Sequence, residues 1–308
     1  MEMPSSVTKA QGAVSPPAMP AKEQMQLRPT EIGHAKDLVA HSLHLETSTE
    51  LLRKTLEEMK LKVVADEFMA SLKGMTNNEW VYLTTTLGVW LQKEQAKRKE
   101  LAIAGKIRSA KFRRLQTFDA FDFKHSKTVE KIEKNYRSLF EGVSKDNLPS
   151  AIFSGQAGLG KTHLARALGY GACQKGISVL FVTCAEMVNH LQQAQKTFTL
   201  EAELNKYRRP QVLIIDELGY VSLDTQSSNL FFQVISARHD QGLGTIATTN
   251  IPFGKFNQIF ANDAIAHAIV DRLVNTAEVF YLEGEGDPSY REHQRKMKTD
   301  KRKKSAAQ

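Results

Sequence analysis

Gly155-Gln156-Ala157-Gly158-Leu159-Gly160-Lys161-Thr162, directly behind the apolar run Ala151-Ile152-Phe153-Ser154, decides the fold of this chain. Glycines at 155, 158 and 160 let the backbone curl tightly enough for successive N–H groups to converge, and a helix opening at Lys161 aims its positive dipole end at the same point. Strand, loop and helix in this order make a phosphate-cradling P-loop. Gly155, Gln156, Ala157, Gly158, Leu159, Gly160, Lys161, Thr162 and His163 are therefore the expected contacts of a nucleoside triphosphate, ATP in the simplest case. Lys161 is placed to reach the β and γ phosphates. The Thr162 hydroxyl is placed to meet Mg²⁺, an ion that takes few protein oxygens and completes its shell with phosphate and water. A glycine-rich turn can also merely join a strand to a helix, but a match at every position, ending in Lys-Thr, favours the phosphate reading.

A second apolar run, Val212-Leu213-Ile214-Ile215, closes on two adjacent acids, Asp216 and Glu217. Neighbours on a strand point to opposite sides, so one carboxylate can face the metal and the other the attacking water. Asp216 is expected to hold Mg²⁺ through its water shell, and Glu217 to orient or deprotonate the water that attacks the γ-phosphate. The run Thr245-Ile246-Ala247-Thr248-Thr249 ends at Asn250, where a polar side chain can bond the γ-phosphate or the lytic water. Asn250-Ile251-Pro252 is also good turn chemistry. In Ile269-Val270-Asp271-Arg272-Leu273 an arginine sits on an otherwise apolar helix. It is a candidate to meet charge on the γ oxygens, from a neighbouring subunit if need be, with a structural salt bridge to Asp271 or another acid as the alternative.

Around these motifs the chain sorts into four parts. Residues 1–45, with Pro4, Pro16, Pro17, Pro20 and Pro29 among small polar residues, read as a disordered arm. Residues 46–116 read as a small helical domain: one amphipathic helix from Leu51 to Met69 carries Leu52, Leu56, Met59, Val63, Ala65, Phe68 and Met69, and a second begins near Glu79. Residues 117–290 alternate strands (Ala151–Ser154, Val179–Thr183, Val212–Ile215, Thr245–Thr249, Glu278–Leu282) with helices, which predicts an α/β parallel sheet flanked by helices. Residues 291–308 are a basic tail. Phe112, Phe118, Phe121 and Phe123 are expected to dock their linker onto the sheet domain rather than to stack on bases, since Phe alternating with Asp from Phe118 to Phe123 repels phosphates.

Net charge is +8, so where the bases lie matters. Lys97, Arg98, Lys106, Arg108, Lys111, Arg113 and Arg114 form the most basic ordered stretch, which either grips a nucleic-acid backbone or is a solvated helix face. The two cysteines, Cys173 and Cys184, sit within apolar patterns and read as packing residues, not as a disulfide or a zinc site. No segment has the length of a membrane span and the N-terminus has no apolar block, so a cytoplasmic setting is expected.

The order and spacing of Gly155–Thr162, Asp216-Glu217, Asn250 and Arg272 resemble the AAA+ ATPases of the helicase-loader and initiator clade. The wording Gly160-Lys161-Thr162-His163-Leu164-Ala165, Leu213 to Tyr220, Phe232 to Ser236 and Asp271-Arg272-Leu273 resembles in particular the IstB-type transposition helpers, over residues 48 to 292. The resemblance implies an AAA+ P-loop ATPase fold behind a small helical domain, head-to-tail homo-oligomers on DNA with ATP between subunits, and Arg272 acting in trans. It implies a transposase as partner or, for DnaC-like relatives, a replicative helicase. It also implies that the segment from Glu186 to Tyr207 and just beyond faces DNA, with Lys196, Lys206, Arg208 and Arg209 as phosphate contacts; by spacing alone that segment is an amphipathic helical pair. Gln156-Ala157 stands where Pro-Pro is usual, and Arg291 is the one nearby candidate for a second sensor arginine.

Overall fold

The computed structural model describes residues 49–283; the expected arm, the basic tail and Arg291 lie outside the described residues. Five strands, β1 (Ala151–Gly155), β2 (Val179–Thr183), β3 (Val212–Leu218), β4 (Gly244–Thr249) and β5 (Glu278–Leu282), form one parallel sheet in the order β2-β3-β4-β1-β5. Alternate side chains enter two separate cores. Phe153, Phe181, Ile214 and Phe280 face α4 (Lys127–Gly142) and α5 (Lys161–Gln174), packing with Tyr136, Leu164 and Leu168. Ile152, Val182, Leu213 and Ile215 face the opposite layer of α6 (Cys184–Lys196), α7 (Leu200–Arg208), α8 (Thr225–Asp240) and α9 (Asp263–Val274), packing with Met187, Leu204, Phe231 and Ile269. Burial on both faces is why the strands read as unbroken apolar runs, and the expected α/β class of parallel sheet flanked by helices is the one observed.

Three of the four helices of the second layer, α6, α8 and α9, start where the sequence supplies an acceptor; α7 has no side-chain cap. Thr183 and Glu186 close a capping box on α6, Asp224 accepts from Ser227 N–H at the start of α8, and Asn262 accepts from Ile265 N–H at the start of α9. Because α6 follows β2 without a loop, its first turn is fixed beside the C-terminal edge of the sheet. Cys173 and Cys184 are buried packing residues, as expected; burial raises their thiols to about 11 and about 12.

Ahead of the sheet, the described chain divides between Leu91 and Gln92 into two compact units, not at residue 116. The reason is a strap, residues 110–125, that packs with the sheet. The Ala110 carbonyl accepts from Phe181 N–H at 2.8 Å, Phe112 meets Phe181 at 6.3 Å, Phe118 stacks on Tyr136 at 5.8 Å, and Phe121 and Phe123 are buried. The four phenylalanines thus dock the linker, as their spacing predicts.

In the first unit the single expected helix from Leu51 to Met69 is two, α1 (residues 49–58) and α2 (Lys62–Ser71). Lys60 adopts φ +61°, and the bonds Lys60 N–H to Glu57 O and Leu61 N–H to Leu56 O close the left-handed turn that ends α1. The break resets the helical phase, so Val63 is exposed while Ala65 and Phe68 join Leu52, Leu56, Met59 and Leu91 in a small core. The following helix, α3 (Asn77–Ser109), supplies Leu91 and carries the basic stretch beyond it.

One side chain ties the far ends of β3 and β4 to the helices. Arg238 on α8 is fully buried and donates to the carbonyls of Tyr207, Pro210, Gln211 and Gly244 and to Thr245 Oγ1. Burial works against its charge, and these acceptors sustain it. Arg238→Met therefore strips donors from buried carbonyls and is expected to lower unfolding stability by about 3 kcal/mol. The denaturant midpoint at unchanged slope reads this; a loss below about 1 kcal/mol would contradict it.

Candidate active site

The loop between β1 and α5 is built by its neighbours as much as by its glycines. Gly155 has φ +141°, and a Cβ there would stand 2.1 Å from the Leu282 carbonyl oxygen of β5, which also accepts from Gln156 N–H at 3.1 Å. Gly160 has φ +94°, and a Cβ would lie 2.5 Å from the Phe121 ring of the strap. Leu159 is buried between them and anchors the loop, while Gln156 and Ala157 are exposed. The Lys161 amine lies across this loop, donating to the carbonyls of Gly155 and Gln156 at 2.7 Å each. Burial pulls it down to about 8, with Asp216 pulling the other way. His163 points elsewhere: its Nε2 is 3.0 Å from the Thr117 carbonyl and its ring meets Phe121 edge-on at 4.9 Å. Of His163, only the main chain at the helix N-terminus is left to face a phosphate.

Asp216 ends up within reach of three elements. Its Oδ1 accepts from Thr162 Oγ1 of α5 at 2.8 Å and from Thr248 Oγ1 of β4 at 2.6 Å, and its Oδ2 lies 3.8 Å from the Arg166 guanidinium. The carboxylate is 3% exposed. The adjacent acid is turned away by an irregularity that simple alternation does not foresee. Pairing of β3 with β4 passes from Ile215↔Ala247 to Leu218↔Thr249, which inserts one extra residue into β3. Glu217 occupies the bulge with φ +61°, exposed, its N–H donating to Thr248 Oγ1 at 3.0 Å. Thr248 thus holds both acids through one hydroxyl. A left-handed glutamate costs about 1 kcal/mol, which the bond to Thr248 helps to hold.

These oxygens suit Mg²⁺. A threonine hydroxyl and a carboxylate meet beside the phosphate loop, and among the described residues no group of three His, Cys, Asp or Glu forms an all-protein metal cage. Thr162 and Asp216 are the residues that would hold the ion.

Asn250 is exposed immediately after β4, two positions beyond Thr248. The turn that follows is closed by Thr249 Oγ1, which accepts from Ile251 N–H at 3.1 Å, so the Asn250 side chain is not what makes the turn. Arg272 stands apart from the loop. It donates to Ser236 Oγ at 3.2 Å and to the Ala268 carbonyl at 3.1 Å and lies 4.9 Å over Phe232, with no ion pair among the described residues. Of the candidate DNA contacts, Lys97, Arg98, Arg113, Lys206 and Arg208 pair with Glu100, Glu94, Glu186, Glu203 and Glu201. Arg108, Lys111, Arg114, Lys196 and Arg209 are exposed, and Lys106 is half-buried. Exposed pairs are weak and yield readily to a phosphate. A cleft of about 410 Å³ between Lys111, Phe181, Glu186, His190 and Tyr207 includes none of the phosphate-loop residues.

Sequence reasoning passed over Thr248 and Arg166. Thr248 could have been found from the period of two, which puts it on the side of β4 that Asn250 shares. Arg166 becomes visible only once α5 and β3 are neighbours.

Residues 54–298 match the family described as IstB-like ATP binding protein. The chain is 32% identical over 254 residues to the protein of insertion sequence IS5376 from Geobacillus stearothermophilus that is named for ATP binding, covering 82% of this chain and 98% of that one. It is likewise 32% identical to the protein so named from insertion sequence IS232 of Bacillus thuringiensis subsp. berliner, over 80% of this chain and 96% of that one. Among solved structures, the DnaC helicase loader aligns over 54% of this chain and 95% of its own, at 20% identity and a TM-score of 0.47. AMPPCP-bound DnaA from Aquifex aeolicus aligns over 60% and 55%, at 19% identity and a TM-score of 0.48. With most of its length matched, the chain belongs to the IstB-like ATP-binding protein family.

Proposed function

We propose that this protein is an ATPase that assembles head to tail on DNA and helps a transposase engage its target, ATP binding driving assembly and hydrolysis resetting it. The observation that carries the hydrolytic part is the bulge at Glu217. A site that only stores nucleotide has no use for a strained, exposed carboxylate held beside a buried one by the same threonine. The insertion-sequence names of the relatives favour a transposase over a replicative helicase as partner. A second copy is favoured by Arg272, whose contacts are all outside the phosphate loop. The helical first unit exposes Val63, Tyr82 and Trp90, which suits it for meeting the partner protein. A cytoplasmic setting fits; no helix among the described residues is long and apolar enough to cross a membrane.

In this reading the loop N–H groups and the α5 dipole hold the β and γ phosphates, and Lys161 swings from the loop carbonyls onto their oxygens. Bound Mg²⁺ supplies charge neutralisation across those phosphates. Glu217 takes the proton of the attacking water, Asn250 orients that water or the γ-phosphate, and Arg272 of the adjacent subunit meets the charge on the γ oxygens.

Three outcomes test the site. Phosphate favours the ammonium form of Lys161, so just above pH 8 nucleotide binding draws a proton onto an amine that burial had partly discharged, and affinity falls as pH rises through that range. Calorimetry in two buffers of unlike ionisation heat reads the uptake, which Lys161→Arg abolishes; identical heats in the wild type would remove Lys161 from the phosphates. Glu217→Gln is expected to keep nucleotide affinity while turnover falls roughly 10²–10⁴-fold and protein accumulates on DNA; normal turnover takes Glu217 out of its role. Arg272→Ala should bind ATP without cleaving it, and mixing with Lys161→Ala should restore part of the turnover through mixed interfaces. Absence of restored activity in the mixture counts against action in trans.

A further inference from the structure

Arg238 is fully buried in the sheet domain and Arg166 largely so, and they are held very differently. Arg238 donates to five acceptors. Arg166, on α5, has a side chain only 12% exposed but one hydrogen bond among the described residues, to Gln116 Oε1 at a long 3.3 Å, and its Nε is buried without an acceptor. Its other contacts are the Phe181 ring, 4.4 Å below the guanidinium, and Asp216 Oδ2 at 3.8 Å, a separation that gives charge attraction without a hydrogen bond. A cation with so few directed bonds can be displaced without breaking any strong one.

What surrounds Arg166 sets two pulls on it. On one side are the acids: Asp216 in contact and Glu217 within electrostatic range. Against them stand Arg113 and Arg114 of the basic strap, which disfavour its charge. The strap shares Phe181 with Arg166, through the Phe112 ring and through the bond from Phe181 N–H to the Ala110 carbonyl. It also reaches α6, through the Arg113 pair with Glu186. Both strap arginines are exposed, so a polyanion can neutralise them.

We infer that Arg166 is a movable counter-charge on Asp216, positioned by residues 113–116 of the strap, so that a polyanion on the strap and a metal–nucleotide at Asp216 favour each other. The inference rests on the reading of Thr162 and Asp216 as the metal-holding residues. With Arg113 and Arg114 neutralised, Arg166 is no longer disfavoured by the strap and can withdraw along the Phe181 face toward Gln116, leaving Asp216 to the metal. With the metal at Asp216, Arg166 is repelled outward and adds its charge to the strap. Linkage makes the two effects equal. Arg166 is a positioning residue; nothing requires it to touch the nucleotide.

The test measures equilibrium binding, not turnover. In the wild type, a short DNA duplex is expected to lower the Mg²⁺ concentration for half-maximal binding of a fluorescent ATP analogue by about tenfold, and the Mg²⁺–nucleotide to tighten duplex binding by the same factor. In Arg166→Gln the Mg²⁺ requirement is already low without duplex and both factors fall to about one, whereas Arg166→Lys retains part of each because it keeps the charge. Arg114→Gln, which leaves the buried cluster intact and so guards against a misfolded Arg166 variant, is expected to lower the Mg²⁺ requirement in the absence of duplex. Coupling of wild-type size in Arg166→Gln, or an unchanged Mg²⁺ requirement in Arg114→Gln, would overturn the inference. Wild-type protein that binds duplex and Mg²⁺–nucleotide without coupling overturns it alone; wild-type protein that binds no nucleotide overturns it together with the reading beneath it.

Discussion

The acceptance of two threonine hydroxyls by one buried carboxylate oxygen is the constraint on which the site depends. Asp216 Oδ1 joins Thr162 on the helix behind the phosphate loop to Thr248 on β4, so loop, β3 and β4 are registered to each other before any ligand is considered. The sheet order makes this possible, because β4 lies between β1, which feeds the loop, and β3, which carries the acids. The same Thr248 oxygen accepts from Glu217 N–H and fixes the bulge. Two carboxylates of opposite exposure, linked by the Thr248 hydroxyl and the Glu217 amide, stand with a glycine-rich loop alongside, an arrangement that in the proposed function puts a metal on one side and water on the other.

Much of this was legible in the residues. All five strands were placed correctly because a parallel sheet covered on both faces leaves runs such as Val212 to Ile215 with no polar interruption. The docking of Phe118, Phe121 and Phe123 was legible because the acids between them, Asp119 and Asp122, are a poor surface for phosphates. The bulge was not, since one extra residue in Asp216-Glu217-Leu218 leaves the composition of the strand unchanged; only the partner register reveals it. Nor was the break at Lys60, where a lysine takes the left-handed turn usually given to glycine, although the shift of apolar phase between Met59 and Ala65 was its trace. The division between Leu91 and Gln92 was hidden for a similar reason: residues 92–125 look like the end of a helical domain, and the contacts that join them to the sheet are long-range ones.

Glycine in the phosphate loop answers to more than phosphate. Gly155 is required by the carbonyl of Leu282, and Gly160 by the ring of Phe121, so the loop is a junction between the last strand and the strap as well as a cradle. Through Phe121, His163 and Gln116 the strap touches the helix that opens behind the loop. A segment rich in exposed arginine is thereby mechanically continuous with the nucleotide site, which is the arrangement needed if engagement of a polyanion is to be felt there.

In the proposed function, ATP is cleaved where two copies of this chain meet on DNA. This is tested most directly by measuring ATP turnover per subunit against protein concentration, with duplex DNA and ATP in excess, alongside the mass of the species in solution. The account predicts turnover per subunit that rises steeply with concentration and saturates together with assembly. Full turnover from a protein that remains a single copy, constant across the range, would contradict it.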